Sequence, residues 1–344
     1  RDLAQRVIYA LSADARRIDI PLPFTVIRDG EHVVKQPQEL LMIVRTLVTT
    51  LGGATFKGKV PIAEDVEAFL FDRNGQSILA LWDRGAGGGT KQLALHLGER
   101  PMAVDLWGNI TPLLRPREGN QSGQVQLTLT SMPIFLIDID GPMAQLRASV
   151  QFDRPLIESS FSAHTRKIRF TNPYRQAISG TLKLTAPQGW TLNPPTMQFS
   201  VNPGETFERE VTIEFPYSSF AGPKTIYADF QIQADKTSTL RVPMTLTLGL
   251  SDVGIQTLAL RDGKDVVVQQ MITNYGEKPI DYVAFATYPG QARQERLVTN
   301  LGAGRTTIRR YRFTNVKVDS AYSVRVGVKE LNGTRVLNEQ VEIQ

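Results

Sequence analysis

Carboxylates are the residues of this sequence that could carry hydrolytic chemistry, because a pair of Asp or Glu side chains can act as acid and nucleophile or base. Such a pair must face each other across the substrate. Most acidic residues here instead lie in turns or alternate with apolar strand residues. Asp138-Ile139-Asp140 places two carboxylates on one strand face, as a calcium-binding edge or half of a dyad would. We expect a solvated strand end there and predict no catalytic residue.

The sequence offers little for metal or nucleophile chemistry. It has no cysteine, which excludes disulfides, Cys-ligated zinc, iron–sulfur clusters and a thiol nucleophile. His32, His96 and His164 are scattered, and no pair has the spacing of metal ligands. Residues 85–89 are rich in glycine but lack the Lys-Ser/Thr pair of a phosphate-binding loop. We therefore predict no metal, no cofactor and a hairpin loop at residues 85–89.

Tryptophans are the remaining candidates for a binding site, because sugar rings stack on exposed aromatic faces. Trp82 ends an apolar strand and is expected in the core. Trp107 lies at a turn, and Trp190 follows the Pro187-Gln188-Gly189 turn. Trp107 and Trp190 are thus the candidate carbohydrate-binding residues.

A basic strand is predicted at Thr306–Phe313, where Ile308, Arg310 and Arg312 share one face. This face could bind an anionic glycan or lipid headgroup, or it could protect an edge strand. We expect an ordinary solvated sheet face.

Composition places the chain among globular proteins of two or three domains. It has 344 residues, of which 41% are hydrophobic and 21% charged. The net charge of +5 is spread among interleaved acidic and basic residues, so no nucleic-acid partner is expected. No apolar run is long enough for a transmembrane segment. The chain begins at Arg1 without a signal peptide, which suggests a processed or truncated product.

Helical periodicity is confined to the first sixty residues. Leu3, Val7 and Leu11 share one face of a helix that begins near residue 2. A second helix is predicted over Gln38–Leu51, and Gly52 and Gly53 are typical of its C-terminal end.

From Val66 the apolar period changes to two, which predicts strands. Val66–Phe71 and Ser77–Trp82 form a hairpin around the turn at residues 73–76. Further strands are predicted at Gln92–Leu97, Met102–Leu106, Val125–Thr130 and Ile134–Ile137. Together they indicate a small antiparallel sandwich, and residues 138–161 are expected to be a connector that can include one edge strand.

An internal repeat marks the last two hundred residues. Thr171-Asn172 recurs as Thr273-Asn274, and the glycine turn at Gly204 recurs at Gly304. A third match pairs Tyr227 with Tyr322. Three landmarks in one order, at spacings of 102, 100 and 95 residues, predict tandem copies of an Ig-like sandwich.

The predicted fold class is all-β, with a short helical N-terminal segment and then three β-sandwich modules. The helical segment covers residues 1–59 and the small antiparallel sandwich residues 60–140. The two tandem Ig-like sandwiches cover residues 141–250 and 251–344.

Residues 161–250 resemble the alpha-galactosidase-associated, Ig-like domain of secreted glycosidases. The resemblance implies an accessory module and does not imply sugar binding. The matching residues are Thr171-Asn172, Pro187-Gln188-Gly189-Trp190, Pro194, Pro203-Gly204-Glu205, Val211-Thr212-Ile213 and Ala221-Gly222.

Residues 60–137 resemble the C-terminal sandwich that packs on the (β/α)-barrel of many glycoside hydrolases. This resemblance implies that the helices before Leu51 are the tail of a barrel lying upstream of Arg1. The residues that carry it are Glu67–Phe71, Gly75, Ile78–Trp82, Asp105–Asn109 and Met132–Leu136.

These features predict a non-catalytic accessory region of a secreted glycoside-hydrolase-like protein, located outside the cell or in the periplasm. Its expected partner is an upstream catalytic domain or another envelope protein. Two alternatives stay open: a cell-envelope structural or adhesion protein with Ig-like spacers, and a carbohydrate-binding module whose partner is a polysaccharide.

Overall fold

The computed structural model describes residues 1–29, 32–85, 89–113, 124–234, 237–316 and 322–344. In these ranges the chain is all-β, with three helices and three successive β-sandwiches. The loop predicted at residues 85–89 lies partly outside the described residues. No described helix has the length and apolar character needed to cross a lipid bilayer.

The first sandwich contains two helices, α1 and α2, and strands β1 to β10. Their bounds are α1 Asp2–Ser12, β1 Phe24–Asp29, β2 His32–Pro37, α2 Glu39–Leu51, β3 Thr55–Lys59, β4 Val66–Arg73, β5 Gln76–Asp83, β6 Lys91–His96, β7 Met102–Val104, β8 Ile110–Pro112, β9 Gln124–Leu129 and β10 Ile134–Ile137. The central sheet has the order β3-β4-β5-β10-β7-β8, and β6 pairs with β9 to form the opposing layer. The predicted hairpin and the four further strands are confirmed to within about two residues at each end.

Both faces of the central sheet are apolar, because its middle strands carry large hydrophobic residues at consecutive positions. Phe69 and Trp82 stack at 5.4 Å on one face, and Tyr9 of α1 meets both rings edge-on. Leu70 and Leu79 point to the other face, where they pack with residues of β6 and β9. The sheet is therefore covered by α1 and α2 on one side and by the small sheet on the other.

The predicted helices are confirmed, but residues 1–59 are not a separate helical segment. Ala4, Ile8 and Leu47 share one core with the central sheet, and β3 is its edge strand. The hairpin of β1 and β2, between the two helices, was not predicted. Pro21 and Pro23 mark the end of helical structure but do not show that strands follow.

The predicted connector after residue 138 contains a helix, α3 (Gly141–Ser149), so helical structure is not confined to the first sixty residues. Asp140 caps it by accepting a hydrogen bond from the Met143 amide at 2.9 Å, and Pro142 occupies its first turn. These are standard signals for a helix start. The weak amphipathic pattern of the helix explains why periodicity missed it.

Helix α3 joins two cores, because its opposite faces pack into different sandwiches. Ala144 and Ala148 contact the core formed by the central sheet and β6–β9. Met143 and Leu146 are buried in the core of the second sandwich. At the start of the helix, a side chain on Gly141 would meet the Ser77 hydroxyl at 2.5 Å. The helix therefore fits closely against the first sandwich while belonging to the second.

The second sandwich pairs a sheet of order β11-β13-β17-β15 with a sheet of order β12-β19-β18-β14-β16. Its strands are β11 Gln151–Phe152, β12 Leu156–Glu158, β13 His164–Thr171, β14 Ile178–Thr185, β15 Thr191–Asn193, β16 Thr196–Val201, β17 Thr206–Glu214, β18 Gly222–Gln233 and β19 Thr237–Gly249.

The third sandwich pairs a sheet of order β20-β21-β24 with a sheet of order β23-β22-β25-β26. Its strands are β20 Val253–Asp262, β21 Asp265–Asn274, β22 Ile280–Thr287, β23 Gln294–Leu301, β24 Thr306–Phe313, β25 Ser323–Glu330 and β26 Val336–Glu342. The order β19-β18-β14-β16 of the second sandwich corresponds to β26-β25-β22-β23 here, so the two sandwiches repeat one strand arrangement.

The repeated Asn forms the same hydrogen-bond network in both copies. The Asn172 side chain donates to the Gln176 and Val201 carbonyls, both at 2.9 Å, and accepts from the Tyr174 amide. Its counterpart Asn274 donates to the carbonyls four and 27 residues later, both at 2.8 Å, and accepts from the amide two residues later. Both side chains are fully buried. The sequence repeat is thus a structural repeat.

The third landmark of the repeat, the pair Tyr227 and Tyr322, marks equivalent strands but does not align their residues in the same register. Tyr227 lies in β18, and Tyr322 directly precedes the corresponding strand β25. Aligning the two tyrosines sets buried Ala228 against half-buried Ser323. Since a slip of one residue exchanges the faces of a strand, the alignment is out of register there.

We expect Asn172→Ala to lower the free energy of unfolding by about 2–4 kcal/mol, because it removes the three hydrogen bonds of a fully buried side chain. Urea denaturation followed by tryptophan fluorescence measures this, since Trp190 lies in the same core. Thr206→Ala is the matched control, because it removes only an exposed bond between hydroxyls. A loss no larger than that of the control would contradict a structural role for Asn172.

Candidate functional site

The acidic segment at residues 138–140 has a structural role in the fold. Asp140 caps α3 as described, and Asp138 adopts a left-handed backbone conformation with φ of 54°. In the described ranges, no three His, Asp or Glu side chains lie close enough together to hold a metal ion.

The three tryptophans differ in exposure. Trp82 is buried in the core as predicted. Trp190 is only 9% exposed and packs against Phe215 at 4.7 Å, so its faces are not available for stacking on a sugar. Trp107 is 42% exposed. Of the two candidate carbohydrate-binding residues, Trp107 alone has the exposure that the prediction requires.

Asp105 holds the turn that presents Trp107. Its side chain accepts hydrogen bonds from the amides of Trp107 and Asn109, both at 2.9 Å. A side chain on Gly108 would lie 3.2 Å from the Thr46 hydroxyl, so the turn lies against α2. The turn that carries the exposed indole is therefore held in place beside α2.

The basic strand β24 has the predicted face, with Ile308, Arg310 and Arg312 all exposed. It is an edge strand of its sheet. The Arg312 guanidinium forms ion pairs with Asp262 and Asp265. Part of the positive charge is thus neutralised within the sheet, which weakens the case for an anion-binding surface.

An exposed apolar surface lies on the N-terminal layer, and we call it the lead face. It combines the hairpin of β1 and β2 with the outer side of α2. Every residue of β2 is exposed, and Val33 of that strand is 59% exposed. The residues of the lead face are Ile20, Leu22, Val26, Ile27, Val33, Val34, Met42 and Val48.

An apolar groove of about 250 Å³ continues the lead face between the two helices. Val7 and Leu11 of α1 line one wall, and Val44 and Val48 of α2 line the other. Ile20, which belongs to the lead face, closes one end. The run of β-branched residues at β1 and β2 was the sequence signal for this surface, and helical reasoning alone missed it.

The hairpin of β1 and β2 extends from the body of the first sandwich with apolar residues on both faces. Ile27 pairs with Val34 on one face, while Val26 and Val33 lie on the other. A two-stranded hairpin alone is marginally stable in water. Exposed apolar patches of this kind mark surfaces that bind a protein, a membrane or a ligand.

A second prominent feature is the joint between the second and third sandwiches, centred on Arg335. Its guanidinium binds Asp252 at 2.8 Å and Glu330 at 2.7 Å, and lies 3.8 Å from Glu158 of the second sandwich. The hydrogen bonds to Glu330 and Asp252 raise the pKa of Arg335 above its usual value. The ring of Tyr282 lies beneath it, 5.8 Å away.

Backbone hydrogen bonds also cross this joint. The Val336 amide donates to the Ser159 carbonyl at 2.9 Å, and the Ala221 amide donates to the Asn338 carbonyl at 2.7 Å. The fully buried Asn338 side chain donates to the Tyr217 carbonyl at 2.9 Å. Because these bonds satisfy buried polar groups on both sides, the joint holds the two sandwiches in a defined orientation.

His164 lies below this joint in the second sandwich. Its ring stacks on Phe215 at 5.2 Å, and its Nε2 lies 3.4 Å from the Ser160 hydroxyl. Burial holds the pKa of His164 below its usual value, and the charge of Arg166 adds to this effect. The buried ring is therefore neutral at pH 7.

Comparisons with known proteins give little further information. No protein-family model and no curated protein sequence matches the chain. Among solved structures, the chaperone YadV is 10% identical at a TM-score of 0.22, covering 56% of this chain and 100% of its own. The E. coli chaperone DraB is 11% identical at a TM-score of 0.21, covering 56% and 98%.

A third similar structure is a protein of unknown function from Porphyromonas gingivalis. It is 14% identical at a TM-score of 0.20, covering 56% of this chain and 96% of its own. TM-scores this low carry no argument about the fold or function of this chain.

We expect the stability of the second sandwich to fall when the pH is lowered from 7.5 to 5. The folded-state pKa of His164 lies below its unfolded value of about 6.5. Its contribution is therefore fully present above that value and is lost as the pH falls through the folded pKa. Melting temperatures at both pH values measure the loss.

The matched variant for this measurement is His164→Gln, which keeps a polar side chain but does not titrate. The wild type should lose more stability on acidification than the variant does. Equal losses would show that other groups, and not His164, carry the pH dependence.

Proposed function

We propose that this chain is the non-catalytic accessory region of a secreted glycoside-hydrolase-like protein, and that its lead face packs against the catalytic domain. In this proposal the catalytic domain precedes Arg1, and the second and third sandwiches are Ig-like modules that space and support it.

The exposed hairpin is the observation that carries this proposal. Burying the lead face would remove from water an apolar surface that is costly to leave solvated. The hairpin would also gain a third layer, which a two-stranded ribbon needs for stability. A catalytic barrel with an apolar outer surface would supply both, in agreement with the resemblance of residues 60–137 to barrel-associated sandwiches.

Trp107 supports the same interpretation. Its turn lies against α2, on the helical layer that carries the lead face, and its indole is half-exposed. An exposed tryptophan on a well-defined turn is typical of a residue that anchors a protein interface. We therefore assign Trp107 to docking rather than to sugar stacking.

The contacts between successive sandwiches favour a role as a structural support. Helix α3 shares its two faces between the first and second sandwiches, and Arg335 links the second to the third. Modules connected in this way form a rigid series and are not separated by flexible linkers. Such a series can hold an attached domain at a set distance and orientation.

The proposal predicts that the full-length reading frame encodes a barrel with two facing carboxylates upstream of Arg1. That longer protein should hydrolyse glycosides, whereas residues 1–344 alone should not. An upstream series of further Ig-like repeats, or a surface anchor, would contradict the proposal and favour the cell-envelope spacer.

The docking surface is tested by hydrogen exchange of the β1 and β2 amides. They should exchange quickly in residues 1–344 and at least about tenfold more slowly when the catalytic domain is present, because docking would suppress local opening. The variant Val26→Asp/Val33→Asp should lose this protection, since it places two charges in an apolar interface.

Leu258→Asp is the matched control for that variant, because Leu258 is an exposed apolar residue of the third sandwich. It should leave the protection of β1 and β2 unchanged. The docking assignment fails if the catalytic domain gives no protection, or if the control removes it equally.

A further inference from the structure

A polar groove lies on the second sandwich, where it borders the first. In contrast to the lead face, it is lined mainly by polar side chains. It has a volume of about 420 Å³ and is formed by the outer face of β14, β16, β18 and β19, with Gln124 of β9 at its border. This volume is in the range of small-ligand sites, which occur preferentially where modules meet.

The groove presents a regular array of hydrogen-bonding groups. In one row across the strands, Lys183, Asp229 and Arg241 are neighbours, and in the next row Thr181, Gln231 and Thr239 are neighbours. Cross-strand partners of this kind lie about 5 Å apart. The alternating residues between the rows, such as Phe230 and Leu240, are buried in the core, so this face is rigidly supported.

Some of these groups are already oriented, and others have no partner. Arg241 binds Asp229 through two hydrogen bonds, at 2.7 and 3.1 Å. In the described part of the chain, the side chains of Lys183, Gln231 and Thr239 have no hydrogen-bond partner. The fixed pair and the unpaired groups together offer donors and acceptors on one concave surface.

An aromatic ring stands beside the array. Tyr227 is 38% exposed, and the Arg241 guanidinium lies 4.8 Å from its ring centroid. Tyr227 precedes Asp229 by two residues on the same strand, so it lies on the same face of the sheet. The groove therefore combines a planar amide, hydroxyls and an ion pair with an apolar ring at one side.

We propose that this groove binds a sugar chain. Vicinal hydroxyls require paired donors and acceptors at close spacing, which the two rows supply. An apolar sugar face can rest on the face of Tyr227 that Arg241 does not cover. The groove lacks the apolar centre that a protein interface requires. The inference goes beyond the docking of the lead face and shares no residue with it.

Affinity gel electrophoresis tests the proposal, with the 344-residue chain run through gels that contain a soluble polysaccharide. The probes are a neutral β-glucan, a galactomannan and polygalacturonate. At least one should retard the wild type. Gln231→Ala/Thr239→Ala should weaken that binding about tenfold, because it removes two hydrogen-bonding groups. Both residues are exposed, so the variant should keep the wild-type melting temperature.

Two further variants distinguish the outcomes. Thr245→Ala/Thr247→Ala changes two exposed residues of the same strand outside the groove and should bind as the wild type does. Lys183→Ala removes a positive charge from the groove. It should weaken the binding of polygalacturonate, which is acidic, and leave the binding of the two neutral polysaccharides unchanged.

The proposal is overturned if no probe retards the wild type, or if the Gln231/Thr239 variant binds as tightly as the wild type. It is also overturned if only Trp107→Ala abolishes retardation, because the site would then be the exposed indole. The first two results involve neither the lead face nor Trp107, so they are distinguishable from a failure of docking.

Discussion

The central sheet of the first sandwich has apolar residues on both faces, and this constraint determines how the N-terminal half is built. A sheet with one apolar face needs one cover, but Phe69 and Leu70 point to opposite sides and both are buried. Helices α1 and α2 cover one side, and β6, β9 and part of α3 cover the other. The covering elements also have outer faces, and these faces are available to contact other parts of the protein.

On the helical side, the outer face is apolar as well. The hairpin of β1 and β2 and the groove between the helices expose Val26, Val33 and Val48. A layer that covers a core with one face and displays hydrophobic residues on the other has a second apolar face on which a further folded body can pack. This geometry is the physical basis for proposing that a catalytic domain packs there.

On the opposite side of the central sheet, α3 packs against the first sandwich and also into the core of the second. Met143 and Leu146 enter the next core while Ala144 and Ala148 stay in the first, so the two modules cannot separate without exposing both. At Arg335, polar contacts connect the second sandwich to the third. The modules are thus linked in series, first by shared apolar packing and then by ion pairs and backbone hydrogen bonds.

The sequence alone determined features that depend on neighbouring residues or on a repeated pattern. Alternation predicted the hairpin of β4 and β5, helical spacing predicted α1 and α2, and the repeated Asn172 and Asn274 predicted two copies of one sandwich. The first two are local signals, because side-chain periodicity and turn chemistry act over a few residues. The repeat is found by comparing two distant segments of the sequence.

The tertiary structure alone decided what is covered and what stays exposed. It buried Trp190 against Phe215, left Trp107 exposed beside α2, turned a predicted connector into α3 and brought Gln124 to the border of the polar groove. The physical reason is that burial depends on residues distant along the chain. Local patterns in a sequence do not show which distant surface will face a given side chain.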